Sequence, residues 1–483
     1  MTKTKILICT HSAALHSGLS ETCRHIFIPL LDKYKDKYDI HQLGYFHFGQ
    51  VENVPWPIYR TIVNNTPQGP QPDMDDRYGQ KSFDRIVSEI KPDIVFGYGD
   101  MWHFEHMLNS PFRNSFRMLT YYTIDGQPYF GHIHADNTTD WGAKLTKADQ
   151  VVVLSHFGKE VLSRGNIEMK DKDIKVMYHP IDFDRYPVLN DKQKEELRDK
   201  VLPKHFSRAG FVCGWLGKNQ FRKQNHKLWE TLHYMVYGDY IECNSCKRVT
   251  IKEWNHTTRS CKNPDKYPGE LDKLTMYDHG YRYDHCWHCK SQDIIPGVAK
   301  PDFYMWFHMA KDDPGYNPDL HERIWNVTNN CLYTKEIKGL SGVKTKDLAL
   351  LLASWDCMYY PSGGEGYGNP AAEAMAAGTP LVYSDYSSHS EFCQFGGLPV
   401  RCTYQPEVAH GIQRAVVDTN HAVEQLLKLV RNPQLRKTLG ARGRMHMMQY
   451  SIPHMVDVWD NIFNDMMVKP LPINGNRMFT TVI

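Results

Sequence analysis

Residues 361–385, PSGGEGYGNPAAEAMAAGTPLVYSD, carry the clearest structural signal in this chain. The apolar and aromatic segment 355–360 before them predicts a short buried strand that ends in a glycine-rich loop. Asn369 is typical of a helix N-cap and Pro370 of the first helical position, and the alanines that follow favour a helix. A strand, a glycine loop and a helix N-terminus in this order predict the phosphate- and sugar-binding corner of a doubly wound α/β sheet.

Two carboxylates mark this predicted corner. Glu365 lies on the loop and Glu373 on the helix, with seven residues between them, so both side chains can face one cleft. Carboxylates accept hydrogen bonds from sugar hydroxyls, and each charge-assisted bond contributes about 1.5–3 kcal/mol. The pattern therefore favours a nucleotide sugar as ligand. The alternative is a capped helix whose glutamates are only solvated.

The spacing of these glutamates resembles the E-x7-E signature of glycosyltransferase family 4, which has the GT-B fold of two facing Rossmann-like domains. The resemblance implies that Glu365 contacts the donor sugar and that Glu373 contacts the ribose of the nucleotide. It extends the expected donor site to Gly18, Asn219, Arg222, Lys223, Gly364, Glu365, Gly366, Tyr367, Gly368, Asn369 and Glu373. It implies an α/β chain with an acceptor domain at 1–190, a nucleotide-sugar domain at 205–450 and a C-terminal helix at 451–470 that crosses back to the first domain.

Length and composition agree with a two-domain globular enzyme. The chain has 483 residues, 41% of them hydrophobic and 23% charged, with a net charge of +2. A strongly basic nucleic-acid binder would normally carry more positive charge, so any basic patch is expected to be local. The polar start and the lack of a run of about 18 apolar residues predict a cytoplasmic protein without a membrane span.

The first half alternates strands and helices, which indicates a parallel sheet. We expect strands at 5–10, 91–97 and 118–123. Family members often carry a G-x-G turn after the first strand. Here the turn is Ser17-Gly18-Leu19-Ser20, in which Gly18 matches and Ser20 departs from the pattern.

Asp125 follows the third of these strands, so it is predicted to face the cleft. The family commonly places a histidine near this position. An aspartate could bind a sugar hydroxyl or take the acceptor proton, but Asp-Gly is equally ordinary turn chemistry. His132 and His134 lie close by and could substitute.

Arg222 and Lys223 lie on the loop after a predicted strand at 209–216. By position they match the basic pair that grips the donor diphosphate in the family. Charge accumulates on the β-phosphate as the glycosidic bond breaks, and two cations would stabilise it. The predicted catalytic residues are therefore Glu365, Asp125, Arg222 and Lys223, with no obligatory Mg2+. A solvated basic loop is the alternative.

Residues 238–296 interrupt the second domain with a segment rich in Cys, His and aromatic residues. Two CxxC pairs, Cys243 with Cys246 and Cys286 with Cys289, predict a structural Zn2+ held as in a zinc ribbon. The spare candidate ligands, ranked below the four cysteines, are Cys261, His256, His285 and His288.

These observations predict a retaining glycosyltransferase that moves a sugar from a nucleotide diphosphate sugar to an acceptor hydroxyl, with the acceptor bound by the first domain. The insert contains cations among aromatic residues, which suits nucleic acid and makes a hydroxylated DNA base a candidate acceptor. These cations are Lys247, Arg248, Lys252, Arg259, Lys262 and Lys266. Structural bracing is the other role open to the insert. A saccharide or glycoconjugate acceptor, and a non-catalytic zinc-dependent nucleic-acid binder on a GT-B scaffold, are the competing functions.

Overall fold

The protein consists of two parallel-sheet domains and a small antiparallel insert. The computed structural model describes residues 2–49, 54–67, 69–127, 144–165, 169–201, 210–238, 240–251, 253–254, 281–282, 289–296, 300–334, 345–407 and 412–471.

The first domain is a seven-stranded, all-parallel sheet with helices packed on its faces. Its strands are β1 (Thr4–His11), β2 (Tyr38–Tyr45), β3 (Ile58–Arg60), β6 (Ile94–Gly99), β7 (Arg117–Tyr122), β8 (Gln150–Val153) and β9 (Ile174–Val176), with β4 (Val63–Thr66) and β5 (Gly69–Pro72) forming a separate hairpin. The sheet order is β3-β2-β1-β6-β7-β8-β9. Its helices are α1 (Gly18–Lys33), α2 (Phe83–Ile90), α3 (Met101–Leu108) and α4 (His156–Gly165). The next helix, α5 (Asp191–Val201), packs on the second domain, where Arg198 pairs with Asp356 (2.9 Å).

Strand β2 is absent from the sequence prediction because its polar residues break the apolar run. The structure buries Gln42 completely in this strand. Its side-chain amide donates to the carbonyl of His11 (2.9 Å), and its Oε1 accepts from the Ala13 N–H (3.2 Å) and the Trp56 indole (3.2 Å). A buried polar side chain is tolerated when its hydrogen bonds are satisfied. Here the partners are distant in sequence, so only the tertiary structure shows them.

The second domain repeats the plan with a six-stranded parallel sheet in the order β17-β16-β10-β18-β19-β20. Its strands are β10 (Phe211–Leu216), β16 (Phe303–His308), β17 (Cys331–Tyr333), β18 (Cys357–Tyr360), β19 (Leu381–Ser384) and β20 (Gly397–Val400), followed by a hairpin of β21 (Cys402–Pro406) and β22 (Gln413–Val417). Its helices are α6 (His226–Tyr237), α7 (Pro318–Ile324), α8 (Thr345–Ser354), α9 (Asn369–Ala376), α10 (His389–Phe392), α11 (Thr419–Arg431) and α12 (Pro433–Met447). Helix α9 follows the carboxyl end of β18 after the glycine loop, as the sequence predicts.

The insert is rooted in a three-stranded antiparallel sheet in the order β12-β11-β15. Its strands are β11 (Tyr240–Cys243), β12 (Val249–Ile251), β13 (Glu253–Trp254), β14 (Tyr281–Arg282) and β15 (Ile294–Pro296). Ion pairs join Glu242 to Arg431 (3.3 Å) and Arg248 to Glu424 (3.8 Å) on α11. The described root of the insert therefore packs on an outer helix of the second domain.

The last described helix, α13 (Ile452–Val468), leaves the second domain and packs on α1 of the first. Phe463 stacks on Phe27, and the Asp460 carboxylate accepts from the Lys37 ammonium (2.6 Å) and the Tyr38 hydroxyl (2.6 Å). A chain segment from beyond the second domain thus completes the core of the first. No helix in the described part of the chain is long and apolar enough to cross a bilayer.

Candidate active site

The loop between β18 and α9 lies in the cleft, against the first domain. The N-cap of α9 is Gly368, with a left-handed φ of 97°, and not Asn369 as the sequence indicated. Glycine adopts this conformation without the penalty a Cβ would bring, and the helix therefore starts one residue earlier. Asn369 instead points across the cleft, where its Oδ1 lies 2.5 Å from Nδ1 of His179.

Glu365 is buried at the centre of the loop and binds both predicted cations. Its carboxylate pairs with the Lys223 ammonium and, at 3.0 Å, with the Arg222 guanidinium. It also accepts hydrogen bonds from the hydroxyls of Ser362 (2.7 Å) and Tyr360 (3.1 Å). Burial opposes ionisation, but the charges of Arg222 and Lys223 outweigh it and hold the pKa of Glu365 well below its usual range.

The two cations come from a 3₁₀ turn, Phe221–Lys223, after β10. Burial lowers the pKa of Lys223 to about 8, and Glu365 only partly offsets this effect. Lys223 therefore remains a cation at neutral pH. Two cations and the carboxylate of Glu365 thus lie together beside the N-terminus of a helix.

Asp125 faces this corner from the carboxyl end of β7 in the first domain. Its carboxylate lies 2.9 Å from the Arg414 guanidinium and 4.0 Å from Nε of Arg222. Its carbonyl oxygen also accepts a hydrogen bond from Arg414 (3.0 Å). A Cβ on Gly364 would overlap that carbonyl, so the loop approaches the first domain as closely as only glycine permits.

Arg414 is a site residue that sequence reasoning missed. It lies on β22, and Glu407 orients it through an ion pair of 2.7 Å. Gln413 beside it pairs its backbone with Gln127 of the first domain. Only the unusual placement of an arginine in a strand could have indicated a role, and that signal is weak.

Glu373 lies in a small cavity between the domains, lined from the first domain by Glu21, Thr22 and His25. Burial, reinforced by the charge of Glu21, raises the pKa of Glu373 to about 8. Its carboxyl group also hydrogen-bonds Tyr186. Glu373 therefore has the position of an acceptor for ligand hydroxyls but is largely protonated at neutral pH in this structure.

The other predicted donor residues divide into cleft residues and supporting residues. A Cβ on Gly18 would lie 3.1 Å from the Asn369 amide, so Gly18 faces the loop. Tyr367 is buried and packs its ring on His179. Asn219 is fully buried, and its side chain hydrogen-bonds within the protein. It donates to the Tyr316 carbonyl (2.5 Å) and accepts from the Tyr316 N–H (3.1 Å). Gly366 packs against Thr123.

The predicted metal ligands lie in the insert, on the β11 turn and before β15. Ligand atoms of Cys243, Cys246 and Cys289 all lie within 4.8 Å of one another. The N–H of Cys246 points at the sulfur of Cys243 (3.5 Å), and this hydrogen bond contributes most to lowering the pKa of Cys243 to about 6. Three convergent sulfurs, with the pKa of Cys243 lowered, fit Zn2+. Cys286 lies outside the described residues, as do His132, His134 and the spare candidate ligands.

Comparisons with known proteins agree with this geometry. Residues 317–446 match the family described as Glycosyl transferases group 1. The segment that includes Arg222 and Lys223 lies outside that match.

A curated relative, the MMP alpha-(1->4)-mannosyltransferase of Mycolicibacterium hassiacum, is 38% identical over 104 residues. That alignment spans 22% of this chain and only 23% of the relative.

Solved structures match over almost the whole chain. Sucrose-phosphate synthase from Thermosynechococcus elongatus superposes with a TM-score of 0.63 at 13% identity, covering 96% of this chain and 100% of that one. A glycosyltransferase from Rickettsia africae gives 0.60 at 14% identity, covering 97% and 100%. HepE from Anabaena in complex with UDP gives 0.57 at 12%, covering 96% and 100%. The fold of this chain therefore resembles that of the GT-B glycosyltransferases, as the sequence predicts.

Proposed function

We propose that this protein is a retaining glycosyltransferase that transfers a sugar from a nucleotide diphosphate sugar to an acceptor hydroxyl. The observation that carries the proposal is the cluster of Arg222, Lys223 and Glu365 at the start of α9. Two cations and a helix N-terminus suit a leaving diphosphate, which gains charge as the bond breaks, and a carboxylate suits the hydroxyls of a sugar. HepE, which has a similar fold, was solved in complex with UDP.

In this mechanism the bond between the anomeric carbon and the β-phosphate oxygen breaks, and the acceptor oxygen bonds to the same face of that carbon. The acceptor proton passes to the departing phosphate. Arg222 and Lys223 bind the diphosphate, Glu365 positions the sugar, and Glu373 binds the ribose. Asp125 orients an acceptor hydroxyl from the opposite side of the cleft. Because the protein supplies these charges, no divalent metal is required at this site.

A donor-hydrolysis assay tests the proposal. The protein is incubated with a panel of UDP-, GDP- and ADP-sugars without acceptor, and release of the nucleoside diphosphate is followed by chromatography. We expect slow release from one donor, and a loss of about 100-fold or more in Lys223→Ala, the range seen when one transition-state donor is removed. Lys192→Ala is the control, since Lys192 is an exposed residue of α5 that forms only an i,i+4 pair with Glu196. A chain that releases nucleotide from none of these donors, or a Lys223→Ala variant as active as wild type, would refute it.

The acceptor class predicted from the insert remains a proposal of its own. Of the cations that suggested a hydroxylated DNA base, Lys247 and Arg248 are described, and Arg248 is paired with Glu424 on α11. The other four cations lie outside the described residues. The support for a DNA acceptor is thus compositional, whereas the carboxyl end of the first sheet offers a structured surface beside Asp125.

The proposed role of zinc is structural. Cys243, Cys246 and Cys289 would bind the ion with Cys286 as the fourth ligand, and four thiolates leave no coordination position for substrate. The ion would join the turn after β11 to the segment before β15 and so order the root of the insert.

A further inference from the structure

Beyond Asp125, the carboxyl edge of the first sheet carries a group of aromatic side chains. His11 ends β1 beside Tyr45, and Phe46 follows β2 directly. The rings of His11 and Phe46 are 5.1 Å apart, and His103, on the first turn of α3, lies 4.5 Å from the ring of Tyr78. We call the set His11, Phe46, Tyr78, Trp102 and His103 the aromatic patch.

Two residues at the aromatic patch have positive φ values. Phe46 has a φ of 58°, in the left-handed region that a bulky residue rarely adopts. Gly99, which precedes α3, has a φ of 137°, and a Cβ there would overlap the His103 ring. Strained residues cluster at binding and active sites, and Phe46 is such a residue, whereas Gly99 adopts a conformation that is open to glycine.

Arg77 covers the aromatic patch with its guanidinium group. Its guanidinium carbon lies 5.4 Å from the centre of the Phe46 ring and 5.3 Å from that of Tyr78. Its Nε is buried and has no hydrogen-bond partner. In the part of the chain that the structure describes, Arg77 forms no ion pair, in contrast to Arg222 and Arg414, which are both paired with carboxylates. A guanidinium in this position fits a phosphate or a carboxylate, which it can bind through two parallel hydrogen bonds.

The aromatic patch is continuous with the proposed reaction site. Gly99 pairs with Tyr122 in the sheet, so Asp100 lies beside Thr123 and close to Asp125. Burial raises the pKa of Asp100 to about 7. The negative charge of Asp125 raises it as well, whereas the positive charges of Arg222 and Arg414 lower it. Burial lowers the pKa of His11 to about 4, and the positive charges of Lys218, from the second domain, and of Arg77 lower it further. Arg77, which packs on Phe46 directly after β2, therefore lies on the same carboxyl edge of the first sheet as Asp100 and Asp125.

We propose that the aromatic patch and Arg77 form the acceptor subsite, and that the acceptor is a sugar bearing a phosphate or carboxylate group. The aromatic rings pack on the apolar face of the sugar, Arg77 binds its anionic group, and Asp100 with Asp125 accepts hydrogen bonds from hydroxyls near the donor. The inference rests on the proposed function and deepens it by naming the acceptor class. In the transfer, the acceptor hydroxyl loses its proton to the leaving diphosphate as its oxygen bonds to the anomeric carbon.

The test combines a binding measurement with a kinetic one on the full-length protein. Hexose 6-phosphates, hexuronates, the parent neutral hexoses and a short oligodeoxynucleotide are titrated in turn, and binding is followed by calorimetry and by the fluorescence of the protein's tryptophans, which include Trp102. With the donor identified by hydrolysis, the same compounds are then offered as acceptors. We expect the anionic sugars to bind at least about tenfold more tightly than the neutral ones, the contribution of one or two charge-assisted hydrogen bonds. The phosphate and carboxylate arms distinguish the two anions.

Arg77→Gln should abolish this preference, raising KM for the anionic sugar by about tenfold or more. Arg77→Lys should restore part of it, and Arg85→Gln on α2, an exposed member of a pair with Glu89, should change nothing. Equal binding of neutral and anionic sugars, a preference that survives in Arg77→Gln, or binding of the oligodeoxynucleotide alone would overturn the inference. Because the binding arm needs no turnover, a chain that selects anionic sugars through Arg77 but hydrolyses no donor would refute the proposed function and not the subsite.

Discussion

At the scale of single residues, the candidate site is a buried charge cluster. Glu365 and Lys223 are buried and Arg222 is partly buried. The ion pairs of Glu365 with the two cations offset the cost of removing these charges from water. The sequence indicated these three residues separately, on a loop after β18 and a turn after β10. Their contact depends on β10 and β18 being neighbours in the sheet.

Glu365→Ala is expected to lower the free energy of unfolding by about 3–5 kcal/mol, because it leaves two cations without their buried partner. Chemical denaturation at neutral pH measures this change. Glu89→Ala removes an exposed partner of Arg85 on α2 and should cost less than about 0.5 kcal/mol. Comparable losses in the two variants would contradict a buried cluster at the donor corner.

Stability should depend on pH through Glu373. Its pKa is about 8 in the folded protein against an ordinary value of 4.5, so between these values the folded chain holds a proton that the unfolded chain has released. The stability it contributes is complete below pH 4.5 and is lost as pH rises through 8. Glu373→Gln, which cannot titrate, should therefore show a smaller decline in unfolding free energy between pH 5.5 and pH 8.5, by up to about 1.4 kcal/mol per pH unit.

The control for this experiment is Glu195→Gln, at an exposed position on α5. Asp100, whose pKa is also raised, contributes to the slope of every variant, so the relevant quantity is the difference from wild type. A Glu373→Gln variant that keeps the wild-type slope would show that Glu373 ionises freely in the folded protein.

At the scale of elements, the insert and the sheet of the second domain are held together by different forces. The described core of the domain is apolar, with Trp215, Trp229 and Trp355 fully buried. The insert instead gathers three cysteines on short strands and joins α11 through ion pairs. Metal binding is the interaction expected to order such an element.

Protein purified without chelator should contain about one zinc per chain by elemental analysis. Cys246→Ser removes one thiolate and should lower the zinc content, whereas Cys402→Ser, a partly buried cysteine of β21 far along the chain, should not. Donor hydrolysis should survive in Cys246→Ser, because the cysteines lie on the insert and not at the donor corner. Zinc-free wild-type protein would refute the metal site.

At the scale of the whole molecule, the two domains meet through polar contacts as well as through α13. Asp125 and Gln127 of the first domain contact Arg414 and Gln413 of the second. Glu391, at α10, accepts hydrogen bonds from the N–H groups that open α4. These groups can exchange their partners for water when the cleft opens, so polar contacts of this kind suit domain closure.

Arg414→Ala should shift the protein toward an open cleft, because Asp125 loses its closest charge partner across the domains. The radius of gyration from small-angle X-ray scattering should increase, and KM for the donor should rise. Arg401→Ala is the matched control on the same part of the domain, since Arg401 is half exposed and pairs with Asp418 of its own domain. An unchanged radius in Arg414→Ala would show that α13 and the apolar contacts alone keep the domains closed.

Local patterns in the sequence were sufficient for the alternation of strands and helices, the glycine loop with its helix and the cysteine pairs, because each depends on residues within about ten positions. Strand β2, the N-cap at Gly368, and the roles of Arg414, Asp100 and Arg77 required the tertiary structure. Gln42 is tolerated in β2 only because distant groups satisfy it, and Arg414 meets Asp125 only because two sheets face each other. Phe46, on which Arg77 packs, and Asp125 lie at one edge because the sheet order β2-β1-β6-β7 aligns the ends of β2 and β7 there, and hydrophobic periodicity carries no information about strand order.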